Sequence, residues 1–108
     1  MQKFMVHPIG KISANENGMF IELEPRYIPA LQALDGFSHI NVLWWFSDFD
    51  RDETRGILEV PKPYKNAPPI MGTFATRSPL RPNPVSLTAV QIIGIDEKNG
   101  VIQIAYID

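Results

Sequence analysis

The chain is a succession of short apolar runs broken by turn residues, and β-branched and aromatic side chains fill most of the runs. Such side chains suit the pleated surface of a sheet, and the runs are too short for packed helices, so strands are predicted. A first strand is expected over residues 4–13. A turn at residues 15–18 leads to a second at 19–23, where Met19, Ile21 and Leu23 alternate with Phe20 and Glu22. Together they make a hairpin. Residues 29–34 are the only good helical fragment, with Pro29 at a tolerated first-turn position and Gly36 placed to stop it. Residues 39–46, HINVLWWF, are apolar almost without interruption. A half-solvated strand would alternate, so this one is predicted to be central, covered by the core on one face and by another subunit on the other. The piece SDFDRDETRG reads as an exposed loop, residues 57–60 as a short strand, and PKPYKNAPP as a long connection ordered by its prolines. A strand resumes at 72–76, RSPLRPNP interrupts it, and residues 85–95 and 101–107 form a last hairpin around DEKNG, where Gly100 can take a positive φ. Six or seven strands, one short helix and long loops predict an all-β fold, a small closed or partly open β-barrel.

Composition narrows the function classes. The 108 residues, 44% hydrophobic and 20% charged, suit a single soluble domain over residues 1–108. A chain of this size buries roughly two-thirds of its unfolded surface, which makes a homodimer a ready source of further stability. With no cysteine, thiol nucleophiles, disulfides and thiolate metal sites are excluded. His7 and His39 are the only imidazoles and lie far apart in the sequence, so no metal is expected. Neither a membrane-length apolar run nor a secretory leader is visible, and a cytoplasmic protein without membrane contact is expected. No GxGxxG or GxxxxGK[ST] occurs, which argues against a Rossmann dinucleotide turn and a P-loop.

The net charge of −2 hides an uneven distribution. Between Glu59 and Asp96 there is no acid, while Lys62, Lys65, Arg77 and Arg81 supply a local +4. Seven of the ten prolines fall between Pro61 and Pro84, so no long helix can run there. The densest constraint is GTFATRSPLRPNPVSL, residues 72–87. Pro79, Pro82 and Pro84 push Ser78, Arg81 and Asn83 into extended geometry. Arg77 and Arg81 then offer planar forks suited to a carboxylate or phosphate, and Ser78 and Asn83 can meet a heterocycle edge. Such a loop could hold a small anionic or zwitterionic ligand; the alternative is a stiffened turn whose arginines face water. Ser38 and His39 are adjacent at the entry to a strand and point to opposite faces if the strand has begun, which with no GxSxG makes a Ser–His nucleophile pair a poor reading. Trp44 and Trp45 suit core or interface better than base stacking. Asp48, Asp50, Asp52 and Glu53, beside Arg51 and Arg55, read as solvated surface.

LDGFSHINVLWWF, GTFATRSPLRPNP and VSLTAVQIIGID resemble the TsaA-like family, also called YaeB-like or TrmO-like. The likeness runs from PIGKI at residues 8–12 to the terminal YID. Relatives are S-adenosylmethionine-dependent tRNA methyltransferases that modify the exocyclic amine of N6-threonylcarbamoyladenosine beside the anticodon, with a small β-barrel and a homodimer. The resemblance implies cofactor contacts from Phe74, Thr76, Arg77, Ser78, Arg81, Pro82, Asn83 and Leu87, with Ser47, Asp48 and Asp108 at further pocket positions. His39 matches the family's FSH histidine, which implies orientation of the loop or of the tRNA substrate, while Lys62 and Lys65, from the acid-free stretch, are available for cofactor or tRNA phosphate contact. No catalytic residue is implied, because the acceptor amine need not lose its proton before attack. Two departures stand out. Ser47 and Asp48 follow Phe46 where relatives carry histidine, and the segment that normally follows YID is expected to be lacking. A non-catalytic S-adenosylmethionine- or nucleoside-binding module is the alternative, and a cofactor-free RNA-binding barrel a third.

Overall fold

The computed structural model describes residues 2–62 and 64–106. Its strands are β1 (Gly10–Asn15), β2 (Gly18–Leu23), β3 (His39–Trp45), β4 (Glu59–Pro61), β5 (Ile70–Gly72), β6 (Val85–Asp96) and β7 (Val101–Ile104). Five form one sheet in the order β1-β2-β7-β6-β3, and β4 and β5 form a second. The class is all-β, as the apolar pattern predicts. Among the described residues no pair joins β1 to β3, so the small barrel is partly open. The chain divides into two compact units, one running up to Asn41 and again from Ala89, the other Val42–Thr88.

In the first unit Asn15 pairs with Gly18 across a two-residue turn, and the Asn15 carboxamide oxygen accepts the Asn17 N–H at 2.7 Å. Such side-chain closure of a turn is what asparagine does well. β2 pairs with β7, with Ile21 opposite Ile102 and Met19 opposite Ile104. Ile21, Ile102, Ile104, Val90 and Leu31 are the buried apolar side chains of this unit. The β6–β7 hairpin carries an irregularity between Ile92 and Gly94. Its turn is closed by Asp96, which accepts from the Asn99 side chain at 2.9 Å and the Asn99 N–H at 3.2 Å. Those two bonds, the side-chain one first, hold the Asp96 carboxyl below its ordinary range. Gly100 takes φ +70° there.

Three expectations in this unit are corrected. The strand begins at Gly10 and not at residue 4, leaving Phe4, Met5 and Val6 outside any strand and exposed. The helix at 29–34 is instead two 3-10 segments, Pro25–Leu31 and Leu34–Gly36, separated by Ala33 at φ 66°. Pro25 and Pro29 remove two backbone donors, which favours short, tight turns over an α-helix. β7 ends at Ile104, where residues to 107 were expected; residue 107 lies outside the described residues.

In the second unit the odd positions of β3 face outward. Val42 and Trp44 are half-buried, whereas Leu43 and Trp45 are 71% and 42% exposed. Trp44 Nε1 donates to Thr88 Oγ1 at 3.3 Å, and the Phe46 N–H donates to the Pro84 carbonyl at 2.7 Å. Because Trp44 and Thr88 share a face, Leu43 and Trp45 share the other with Val85 and Leu87, which are also exposed. β3, expected to be the central strand, stands instead at the edge of the five-stranded sheet, and cover on both faces of HINVLWWF is not supplied by the single chain. SDFDRDETRG is not all loop: it holds a 3-10 turn, Ser47–Phe49, and the four-residue helix α1, Asp52–Arg55. Buried Thr54 organises them, its hydroxyl 2.5 Å from the Phe49 carbonyl and accepting the Arg51 N–H at 3.3 Å. Asp50 joins the ends, bonded to Arg55 at 2.7 Å and to Trp45 Nε1 at 3.1 Å. β4 spans Glu59–Pro61 instead of 57–60. β5 ends at Gly72, so no strand covers 72–76; Thr73–Ala75 is a 3-10 turn.

Candidate functional site

The loop after β5 is built from hydroxyls and carbonyls, since its prolines withhold their donors. Thr73, almost fully buried, offers its carbonyl to both the N–H and the hydroxyl of Thr76, at 3.0 and 2.8 Å. The Thr76 hydroxyl accepts the Ser78 N–H at 3.1 Å, and the Ser78 hydroxyl accepts the Leu80 N–H at 3.1 Å. Two successive side-chain turns of this kind curl the chain tightly. Arg81 closes the curl. Its Nε donates to the Ser78 carbonyl at 2.6 Å, and its Nη2 donates to the carbonyls of Thr73 and Thr76 at 3.0 and 2.5 Å. Pro84, whose side chain is fully buried, anchors the exit into β6.

Arg77 is treated differently by the same loop. It is exposed and makes no hydrogen bond or ion pair among the described residues. Its side chain borders an open hollow of about 620 Å³, which Phe74, Thr76 and Ser78 also line. The rest of the lining is Val60 from β4, Tyr64 from the turn that follows β4, and Ala75. Phe74 and Tyr64 expose 84% and 58% of their surface, so two aromatic faces and a free guanidinium meet at one concavity.

Of the residues proposed from sequence, Phe74, Thr76, Arg77 and Ser78 are thus brought together. Arg81 stands behind them, turned onto backbone carbonyls. Half-buried Pro82 and exposed Asn83 continue the loop, and the Asn83 carbonyl accepts the Val85 N–H at 2.7 Å. Leu87 sits on the outward face of β6, and Ser47 and Asp48 are exposed in the turn after β3; none of the three lines the hollow. Lys62 and Lys65 are exposed and make no ion pair among the described residues. Asp108 lies outside the described residues. His39 belongs to the first unit, where its Nδ1 lies 2.9 Å from the Ser38 hydroxyl. The pair was expected to point apart only where the strand had begun; Ser38 precedes β3, so the alternation does not reach it and the two side chains meet. Tyr64, Val60 and Ala75 were not singled out by the sequence. The available signal for Tyr64 was an aromatic residue between two lysines in a proline-rich segment. Among the described residues no group of three acids and histidines is placed to hold a metal.

The sequence of residues 2–108 matches the family described as the tRNA-methyltransferase O N-terminal domain. The chain belongs to this family. It is 37% identical over 89 residues to a probable S-adenosyl-L-methionine-binding protein of Methanocaldococcus jannaschii, covering 82% of this chain and 71% of that protein. A tRNA (adenine(37)-N6)-methyltransferase of Escherichia coli is 32% identical over 92 residues, 84% of this chain and 38% of the enzyme. The crystal structure of TrmO from Pseudomonas aeruginosa superposes with a TM-score of 0.66 at 22% identity, over 99% of this chain and 50% of the solved one. This tRNA-methyltransferase O N-terminal fold therefore spans about half of that solved chain and less than half of the E. coli enzyme.

Proposed function

We propose that this chain is an S-adenosylmethionine-dependent methyltransferase domain acting on tRNA, with the hollow beside Arg77 as its cofactor site. The observation that carries the reading is the free Arg77 guanidinium in a hollow with exposed aromatic rings, on the loop FATRSPLRPNP. A carboxylate asks for a planar cation and an adenine ring for a π-face, and Arg77 and Phe74 supply those types. When bound, the cofactor supplies an electrophilic methyl group.

Arg77 would fix the carboxylate end through its fork, and Phe74 would shield the ring end from water. Arg81, tied to three carbonyls, holds these two at a set spacing before any ligand arrives, and such preorganisation is how positioning accelerates a transfer reaction. Thr76 and Ser78 already satisfy backbone N–H groups and are parts of that frame. No side chain is required to take the proton of the acceptor amine before attack.

The finer assignment is the exocyclic N6 of threonylcarbamoyladenosine beside the anticodon. It is supported by the E. coli relative, whose name specifies adenine 37 and N6. Lys62 and Lys65, free of acids along their segment, suit the phosphates of such a substrate. A homodimer is part of the same reading. Leu43, Trp45, Val85 and Leu87 leave an apolar outward face, and a second copy would cover it.

The test is incubation with labelled S-adenosylmethionine and bulk tRNA, wild type against Arg77→Ala. Label should enter tRNA with the wild type and fall at least tenfold in the variant, and transfer unaffected by the substitution would remove the site. The archaeal relatives, named for binding and not for transfer, favour one second reading, a non-catalytic S-adenosylmethionine-binding module. Calorimetric binding of the cofactor without transfer to any tRNA would select it.

A further inference from the structure

Methyl transfer is an in-line displacement, so donor and acceptor must lie in contact within one concavity. If Phe74 and Arg77 serve the cofactor, the acceptor base needs a second seat in the same hollow. The remaining lining is Val60, Ala75 and Tyr64, and of these only Tyr64 has a π-face. Its ring is more than half exposed, and its hydroxyl makes no hydrogen bond among the described residues. Its backbone, by contrast, is pinned. The Tyr64 carbonyl accepts the Ala67 N–H at 3.0 Å, Ala67 is buried, and the Lys62 N–H donates to the Pro69 carbonyl at 2.9 Å. An exposed aromatic ring on a fixed turn, between two unpaired lysines at positions 62 and 65, is not what packing requires. It is the arrangement by which proteins hold single-stranded nucleic acid, with rings under bases and cations along phosphates.

We infer that Tyr64 is the stacking platform for the acceptor base of a single-stranded RNA loop, with Lys62 and Lys65 on the flanking phosphates. The inference rests on the tRNA reading above and adds to it the seat of the base. It also divides the hollow into a cofactor wall, the 74–78 loop, and a substrate wall, the turn after β4.

The experiment uses an anticodon stem-loop RNA carrying 2-aminopurine at the adenine 3′ of the anticodon. Tyr64→Ala, Tyr64→Leu and Tyr64→Phe are compared with the wild type, and S-adenosylmethionine affinity is measured in parallel by calorimetry. Wild type and Tyr64→Phe should quench the probe on binding. Tyr64→Ala and Tyr64→Leu should lose the quench and bind the RNA about tenfold more weakly, as loss of one base–aromatic stack predicts. Cofactor affinity should be the same in all four. Unchanged RNA binding and quenching in Tyr64→Ala overturns the inference, and so does a loss of cofactor affinity in that variant, which would give the ring to the cofactor. A wild type that binds S-adenosylmethionine but neither this RNA nor bulk tRNA carrying N6-threonylcarbamoyladenosine overturns the tRNA reading itself, a result distinct from either.

Discussion

Arg77 and Arg81 carry the same guanidinium four positions apart, and their neighbours give them opposite tasks. Arg81 donates three bonds to the carbonyls of Ser78, Thr73 and Thr76, and Arg77 donates none among the described residues. Charged donors on carbonyls contribute about 1.5–3 kcal/mol each where they are well shielded, less where water competes. Arg81→Lys, with a single ammonium in place of the fork, should therefore cost about 1–3 kcal/mol in urea unfolding. Arg77→Ala should stay within about 0.5 kcal/mol of wild type in the same measurement. Equal losses from the two would mean the loop does not distinguish them. The sequence placed both arginines together as ligand contacts, because the side chains are identical and both follow the same stiffening logic. What separates them is the pair of hydroxyl turns at Thr76 and Ser78, whose direction no residue pattern announces.

Among the elements, hairpins were the most legible. Asn15 to Gly18 and Asp96 to Gly100 both turn where short polar residues and glycine allow it, and the register follows from alternation. Gly100 is required twice over. Its φ of +70° is unfavourable for a side chain, and a Cβ would lie 2.6 Å from Ile28 Cγ1. Gly100→Ala is expected to destabilise the fold by about 1–3 kcal/mol, read from the shift of the thermal or urea transition. Segments decided by tertiary contacts were less legible. The acidic stretch became α1 because buried Thr54 bonds the backbone on either side of Asp50, an arrangement invisible in a list of charges. Residues 4–9 have strand composition but lie before β1, where one bond, from the Glu24 N–H to the Ile9 carbonyl at 2.9 Å, carries the pairing past Gly10. The expected strand at 72–76 gave way to a 3-10 turn after Thr73: its N–H still reaches across to the Leu58 carbonyl at 2.8 Å, but its carbonyl accepts locally from Thr76.

At the scale of the whole molecule an exposed apolar face remains, Leu43, Trp45, Val85 and Leu87, of the composition that subunit interfaces bury at their centres. Sedimentation should accordingly give twice the chain mass, and Leu43→Glu on the outward face of β3 should shift it to the monomer mass. A wild type that sediments as a monomer would remove the dimer. HINVLWWF reads from sequence as a central strand covered on both faces, but β3 stands at the sheet edge with Leu43 and Trp45 exposed, because a continuous apolar run does not say which neighbours a strand pairs with. The acid-free stretch has a different outcome at this scale. Val60, Tyr64, Phe74, Ala75, Thr76, Arg77 and Ser78 include no acid, so an anionic group entering the hollow meets the Arg77 charge and no repelling carboxylate in that lining. Affinity for an anionic ligand should then fall as salt rises in calorimetric titrations, and a flat salt response would mean that Arg77 is not the contact. The hollow is a receptor of one charge sign, and the salt slope of binding would report the charge of what it holds.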